Sequence, residues 1–343
     1  MSDDAKRTKA VEVKLDPETA ADLADFLVAR GKTRQALQTY SAVLSLDPHV
    51  EAVRRRYAEL LLRANDSRSP PGTVERGAML LSLMAMDVVT EAIEAAYFEN
   101  LERLLNGRDR RAAPGALVLG LGSGRCGSTS LARALAGVEN VCATHENPPM
   151  LHWSPTADQL RVHGKRFHML LDRFGLVFDS AHWWLNAADR MTEEFGDVKM
   201  IGLVRDPDAC SRSFLEIKAT GRNSINHWLD HDGTFWKPAL WDRFYPSYEP
   251  DRFGLGAPDA VNPAELASRQ HRLVRTYVED YNEGLARLKD RVGERLLIVR
   301  TEELSERRMQ DRIQDFLGIA ALNLQDVLNR GTTKDGDSPD LRY

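Results

Sequence analysis

From Gly122 to Ser130 the chain reads G-S-G-R-C-G-S-T-S, three glycines around one arginine followed by three hydroxyls. Arginine is a permanent planar cation. Set inside a glycine turn ahead of Ser128, Thr129 and Ser130, Arg125 offers charge and hydrogen-bond donors to a tetrahedral oxyanion. That set suits a transferable oxyanion better than a bridging pyrophosphate. Two other kinds of site share the glycines. Gly122, Gly124 and Gly127 satisfy G-x-G-x-x-G, and Glu146 lies about 20 residues further on, where a ribose ligand would sit, so a dinucleotide or S-adenosylmethionine enzyme is a competing reading. Gly122 and Gly127 also have Walker A spacing, but Ser128 stands where that motif requires lysine, which disfavours a nucleotide kinase.

Other residues extend the chemistry. Arg205-Asp206-Pro207 ends an apolar run, and Ser213 follows Arg205 by eight positions. A guanidinium plus a hydroxyl is what a monoester phosphate asks for, and a proline near a helix start costs nothing there. His145 and Glu146 stand side by side after another apolar run and are candidates for a general base, against a bland role as a helix cap or structural contact. His182 reads as pocket lining. His227 and His231, with Asp232 adjacent, lack a third ligand in a motif, so no metal is expected.

With R-C-G-S-T-S-L at Arg125–Leu131 and R-D-P at Arg205–Pro207, the chain resembles the sulfotransferases that use 3′-phosphoadenosine 5′-phosphosulfate (PAPS), whose loop reads roughly [RK]-x-G-[ST]-[ST]-x-L. The resemblance implies that Arg125, Cys126, Gly127, Ser128, Thr129 and Ser130 surround the phosphosulfate, the Cys126 side chain only filling space. It implies that Arg205 and Ser213 hold the 3′-phosphate and that adenosine 3′,5′-bisphosphate (PAP) is the product. A catalytic Glu or His follows the second strand in this family. Glu146 matches the tyrosylprotein branch and is the expected base, with His145 the alternative and Arg125 stabilising charge on the sulfuryl oxygens. L-L-I-V-R-T-E-E-L at Leu296–Leu304 and F-L-G-I at Phe316–Ile319 are similar to a strand and helix near the family's C-terminus. Asn329-Arg330-Gly331 is a partial likeness of a segment that folds over the 3′-phosphate, which adds Arg330 and Gly331 to the donor-binding set. Ser180-Ala181-His182 departs from the family, which often has a Lys, Ser or Thr followed by Pro there. The implied reaction is sulfuryl transfer without a metal to a hydroxyl or amine of a carbohydrate, phenol, lipid headgroup or peptide. A helical scaffold with a degenerate nucleotide domain is the non-catalytic alternative.

These residues need a sheet whose strands end beside them. The apolar runs Leu117–Leu121, Val141–Thr144, Leu176–Asp179, Met200–Val204 and Leu296–Val299 predict about five parallel strands in a three-layer α/β domain of the P-loop type over residues 109–343. Ser128 opens a helix with apolar residues at Leu131, Ala132 and Leu135. An insertion at 217–256 carries Trp228, Trp236, Trp241, Phe244, Tyr245 and Tyr248, which form either its own core or an acceptor surface.

Residues 1–108 read as an all-helical domain. Pro17 to Val50 is a helical hairpin similar to a tetratricopeptide repeat, with Leu23, Ala24, Leu27, Gly31, Ala36, Tyr40 and Pro48 at packing positions. A second hairpin starts at Glu51 with Tyr57, Ala58 and Leu61 and loses the pattern, and Val74 to Leu105 is helical. This region is expected either to cap the fold or to dock a protein partner.

The 343 residues, 43% apolar and 28% charged, describe an ordinary soluble chain. A formal charge of −5 argues against non-specific nucleic-acid binding, and the basic run Arg103, Arg108, Arg110 and Arg111 reads as a solvated face. Cys126, Cys142 and Cys210 stand off framework spacing, which suggests a reducing compartment. No apolar run approaches membrane-spanning length and the N-terminus lacks a signal-peptide core, so a cytoplasmic location is expected.

Overall fold

All five apolar runs become strands of one parallel sheet, each boundary within one residue of the run that predicts it. The structure is a computed structural model, and it describes residues 17–46, 51–65, 70–85, 91–149, 151, 155, 157–219 and 263–324. Strands β1 (Ala116–Gly122), β2 (Val141–His145), β3 (Leu176–Ser180), β4 (Lys199–Val204) and β5 (Leu296–Arg300) lie in the order β2-β3-β1-β4-β5. Register carries the functional segments to one edge. Gly120 faces Ser180 on β3 and Gly122 faces Leu203 on β4. His145 faces Ser180, and Val204 faces Arg300. The predicted loop, the His-Glu pair and Arg205 therefore leave the sheet at its C-terminal ends, where open α/β sheets bind ligands.

Helices α1 (Pro17–Ala29), α2 (Thr33–Leu46), α3 (Glu51–Asn65), α4 (Val74–Ala85) and α5 (Glu91–Leu105) precede the sheet. Helices α6 (Ser128–Ala136), α7 (Ala157–Leu171), α8 (Trp184–Phe195), α9 (Pro207–Ala219), α10 (Pro263–Val292) and α11 (Arg307–Leu317) alternate with the strands or follow them. Strands buried on both faces read as unbroken apolar runs because helices cover each side. On one face Leu131 and Leu135 of α6 join Ile313 and Leu317 of α11 over Val118, Phe178, Ile201, Leu203 and Val299. On the other, Phe167 of α7 meets Trp184 of α8, and α10 sets Leu285 over Gly202.

The chain divides into two compact units, residues 1–100 and 101–343. Within the first, Ala20, Ala21 and Ala24 of α1 pack with Ala36, Tyr40 and Val43 of α2 and with Val53 and Leu60 of α3. The Tyr40 hydroxyl donates to Asp25, which also pairs with Arg56. Leu23 does not take the packing position the repeat pattern gives it. Its neighbour Ala24 is fully buried while Leu23 is 44% exposed, because the alanine stripe is what meets α2 and Leu23 points about 100° away around the helix. No described helix is long and apolar enough to cross a membrane.

Leu131 is fully buried and fastens α6, and with it the preceding loop, to the sheet. Leu131→Ala should cost about 2–5 kcal/mol, read as a lower midpoint of chemical denaturation.

Candidate active site

The turn from β1 to α6 is unusual in its backbone. Gly124, Arg125 and Gly127 all have positive φ, at 91°, 54° and 88°. Glycine meets that demand without strain at 124 and 127. An added Cβ would also stand 2.8 Å from Phe214 at the first position and 2.8 Å from Leu304 at the second. Arg125 has no such licence and must be held by its surroundings.

Three side chains from elsewhere take three successive carbonyls of this turn. The Cys210 thiol donates to Gly124 O at 3.1 Å, Arg205 Nη1 to Arg125 O at 2.7 Å, and the Thr301 hydroxyl to Cys126 O at 2.7 Å. Burial pushes the Cys210 thiol up to about 12, so it keeps the proton it donates. Each pinned carbonyl turns the next N–H the opposite way across a planar peptide. Gly127 caps α6 without a side-chain hydrogen bond. The Cys126 side chain is buried against Gly122.

Arg125 and Arg205 converge. Arg125 Nε donates to Ser213 Oγ at 3.2 Å, while Arg205 reaches the Arg125 carbonyl. Burial, and then Arg205 beside it, pull the Arg125 guanidinium below its usual range. Asp206 accepts from Ala209 N at 2.8 Å and so caps α9, whose first residue is Pro207. Asn282 of α10 donates to Arg205 O at 3.4 Å.

From β2, His145 Nε2 lies 2.9 Å from Ser128 Oγ and 3.3 Å from Thr129 Oγ1, so its ring is part of the cradle that holds the loop hydroxyls. Glu146 does not continue the extended strand. Its φ is 49°, and its N–H donates to Ser180 O at 2.7 Å, so the chain turns as the strand ends. Its carboxylate lies 3.9 Å from His182 Nδ1. The loop behind it is fixed from below: His163 Nε2 donates to Pro149 O at 2.7 Å, and Arg166 Nη2 donates to Pro148 O at 2.6 Å and to His163 Nδ1 at 3.1 Å. Burial, reinforced by Arg166, keeps His163 neutral. Asp179 is buried under this corner, accepting from Thr144 and from Trp184 Nε1, and burial raises its carboxyl.

Sequence reasoning gave no site role to Cys210, Thr301, Tyr277 or Tyr281. Thr301 lies in the V-R-T-E-E-L stretch, where only architecture is expected, yet it holds the loop; its place at the C-terminal end of a parallel strand was the available signal. Tyr277 and Tyr281 stand four apart on α10 and are fully buried. Burial holds both phenols well above their usual range, and Tyr281 donates to His182 O at 2.9 Å. Arg330, Gly331, His227, His231 and the aromatic residues of the insertion lie outside the described residues, as does nearly all of 217–256. Among the described residues no group of three metal-ligating side chains gathers.

Residues 117–303 match the family described as Sulfotransferase domain, more than half of the chain. The chain belongs to the sulfotransferase family. The matched span opens in β1 and closes just past Thr301, so it contains every pin of the sulfotransferase loop. Among solved structures, a sulfotransferase from Alicyclobacillus acidocaldarius is similar at 19% identity and a TM-score of 0.38, over 68% of this chain and 89% of that one. No curated protein matches.

Thr301 also lies 3.1 Å from Val204 O, so one hydroxyl ties the loop, β4 and the end of β5 together. Thr301→Val keeps the shape and removes the donor. It should cost about 1–3 kcal/mol, seen as a lower thermal midpoint.

Proposed function

We propose that this sulfotransferase moves a sulfuryl group from PAPS to a hydroxyl or amine of an acceptor. The observation that carries the reading is the convergence of Arg125, Arg205 and Ser213 beside the hydroxyls of Ser128 and Thr129, at the C-terminal ends of β1 and β4. Two guanidiniums brought this close repel each other, and a polyanionic ligand relieves that repulsion. In this reading Arg205 and Ser213 take the 3′-phosphate. Arg125, Gly127, Ser128, Thr129 and the start of α6 take the phosphosulfate, with Ser130 and the Cys126 backbone completing the turn.

The acceptor oxygen or nitrogen attacks sulfur in line, the bond from sulfur to the bridging oxygen breaks, and PAP leaves. Charge develops on the sulfuryl oxygens and on the leaving phosphate, where Arg125 and the hydroxyls stand. Glu146 takes the acceptor's proton, its half-exposed carboxylate being open to an incoming substrate. His145 orients Ser128 and Thr129. A dinucleotide or S-adenosylmethionine reading gives Arg205 and Ser213 no task, and family membership disfavours it.

A native-state ligand stabilises as the logarithm of its concentration over its Kd, by about 2.7 kcal/mol at a hundredfold excess. PAP should raise the thermal midpoint, ATP with Mg²⁺, S-adenosylmethionine and NAD should not, and Arg205→Ala should abolish the rise. A shift with NAD or S-adenosylmethionine instead would overturn the donor. Glu146→Gln should keep the PAP-induced shift while slowing release of PAP from PAPS by about 10²–10⁴-fold. Full turnover in that variant would remove Glu146 as the base.

A further inference from the structure

We infer that the turns leaving β2 and β3 form the acceptor subsite and that it takes a neutral sugar, whose oxygens accept hydrogen bonds from Asn147 and Trp183; this rests on the acceptor being a hydroxyl, as proposed above. Four side chains at this end of the sheet each bury a nitrogen or oxygen that has no hydrogen-bond partner among the described residues: Asn147 Nδ2, Ser180 Oγ, Trp183 Nε1 and Asn282 Oδ1. Folded proteins pair about 90% or more of buried backbone polar groups and the large majority of buried side-chain ones, and a buried indole N–H usually finds a partner. Asn147 is 3% exposed and Trp183 1%, so bulk water does not satisfy them. A cluster of such atoms beside Glu146 points to a ligand as their partner.

The two donors stand on turns that are stitched together. Glu146 N–H donates to Ser180 O at 2.7 Å, and Asn147 is the next residue. Trp183 follows His182, and its ring stands against those of His182 and His163, with centroids 5.0 and 6.4 Å away. His163 in turn donates to Pro149 O at 2.7 Å, so Trp183 packs against the side chain that holds the turn carrying Asn147.

The four atoms form a neutral, mixed set: two N–H donors, one hydroxyl that donates and accepts, and one amide oxygen. A simple phenol or amine brings the atom that reacts and nothing for the others to bind. A sugar brings further hydroxyls on the neighbouring carbons. The Glu146 carboxylate, next in sequence to Asn147, sets a negative charge against an anionic acceptor. A buried donor without a partner destabilises the unliganded protein and gains its hydrogen bond on binding, so stability and acceptor affinity oppose each other at Asn147.

Asn147→Leu in the full chain tests this. It should raise the thermal midpoint of the unliganded protein by about 2–4 °C and keep the rise given by PAP. The probes are glucose, galactose, mannose, maltose and lactose at tens of millimolar. At least one should raise the wild-type midpoint in the absence of PAPS and speed PAP release from PAPS above the rate with water. Its KM should be about tenfold higher in Asn147→Leu and in Trp183→Phe, at unchanged KM for PAPS. Asn147→Asp keeps the shape, loses the donor and buries a charge; it should raise the same KM while lowering the midpoint. A purely structural residue would move KM and midpoint together in both Asn147 variants. A lower midpoint in Asn147→Leu means that the amide is paired inside the folded protein and overturns the inference. So does an unchanged sugar KM in both donor variants, acceleration by para-nitrophenol or a tyrosine peptide with no sugar effective, or no sugar binding. Sugar binding is read without PAPS, so failure of the donor reading, seen as no rise with PAP, is separate from failure of this one.

Discussion

The active site depends on a backbone that would not hold its shape alone. Three of the four residues from Gly124 to Gly127 have positive φ, one of them an arginine, and three successive carbonyls in that stretch are claimed by Cys210, Arg205 and Thr301. A left-handed non-glycine residue costs on the order of 1–3 kcal/mol, and each claimed carbonyl returns a net hydrogen bond of about 1 kcal/mol. The strain and its compensation are of the same size. The conformation is therefore set by distant parts of the chain rather than by local preference.

This explains why the residues of the loop share work. Arg205, which we propose as a cation for the donor, is already a strut for the backbone of Arg125, and Ser213 already accepts from Arg125. His145 reaches back to two hydroxyls of the loop. Few groups here have one task, so effects of substitutions at neighbouring positions will not add.

The sheet was legible in the sequence because strands buried on both faces leave continuous apolar runs, and Gly-Arg-Cys-Gly and Arg-Asp-Pro stand where two of those runs end. What each chain turn does next was not. Alternation along an extended strand separates His145 from Glu146, but the turn at Glu146 is produced by its N–H meeting Ser180 O, a contact between segments more than thirty residues apart. Thr301 and the tyrosines of α10 are likewise ordinary residues until tertiary structure delivers them. The alanine stripe of α1 gives the opposite lesson: a leucine beside small residues lost the core because close approach of two helices favours the smaller face.

The strand order has a consequence for how the protein comes into being. Among the described strands β1 pairs with β3 and β4, never with β2, and β5 joins only β4. Every pairing is non-local, which makes assembly slow, and during synthesis the loop after β1 leaves the ribosome well before its struts at 205, 210 and 301. A nascent chain carries the glycine loop without the means to shape it. The donor site we propose is therefore complete only once β5 has docked and Thr301 reaches the Cys126 carbonyl, so the last strand made is the one that finishes the first loop.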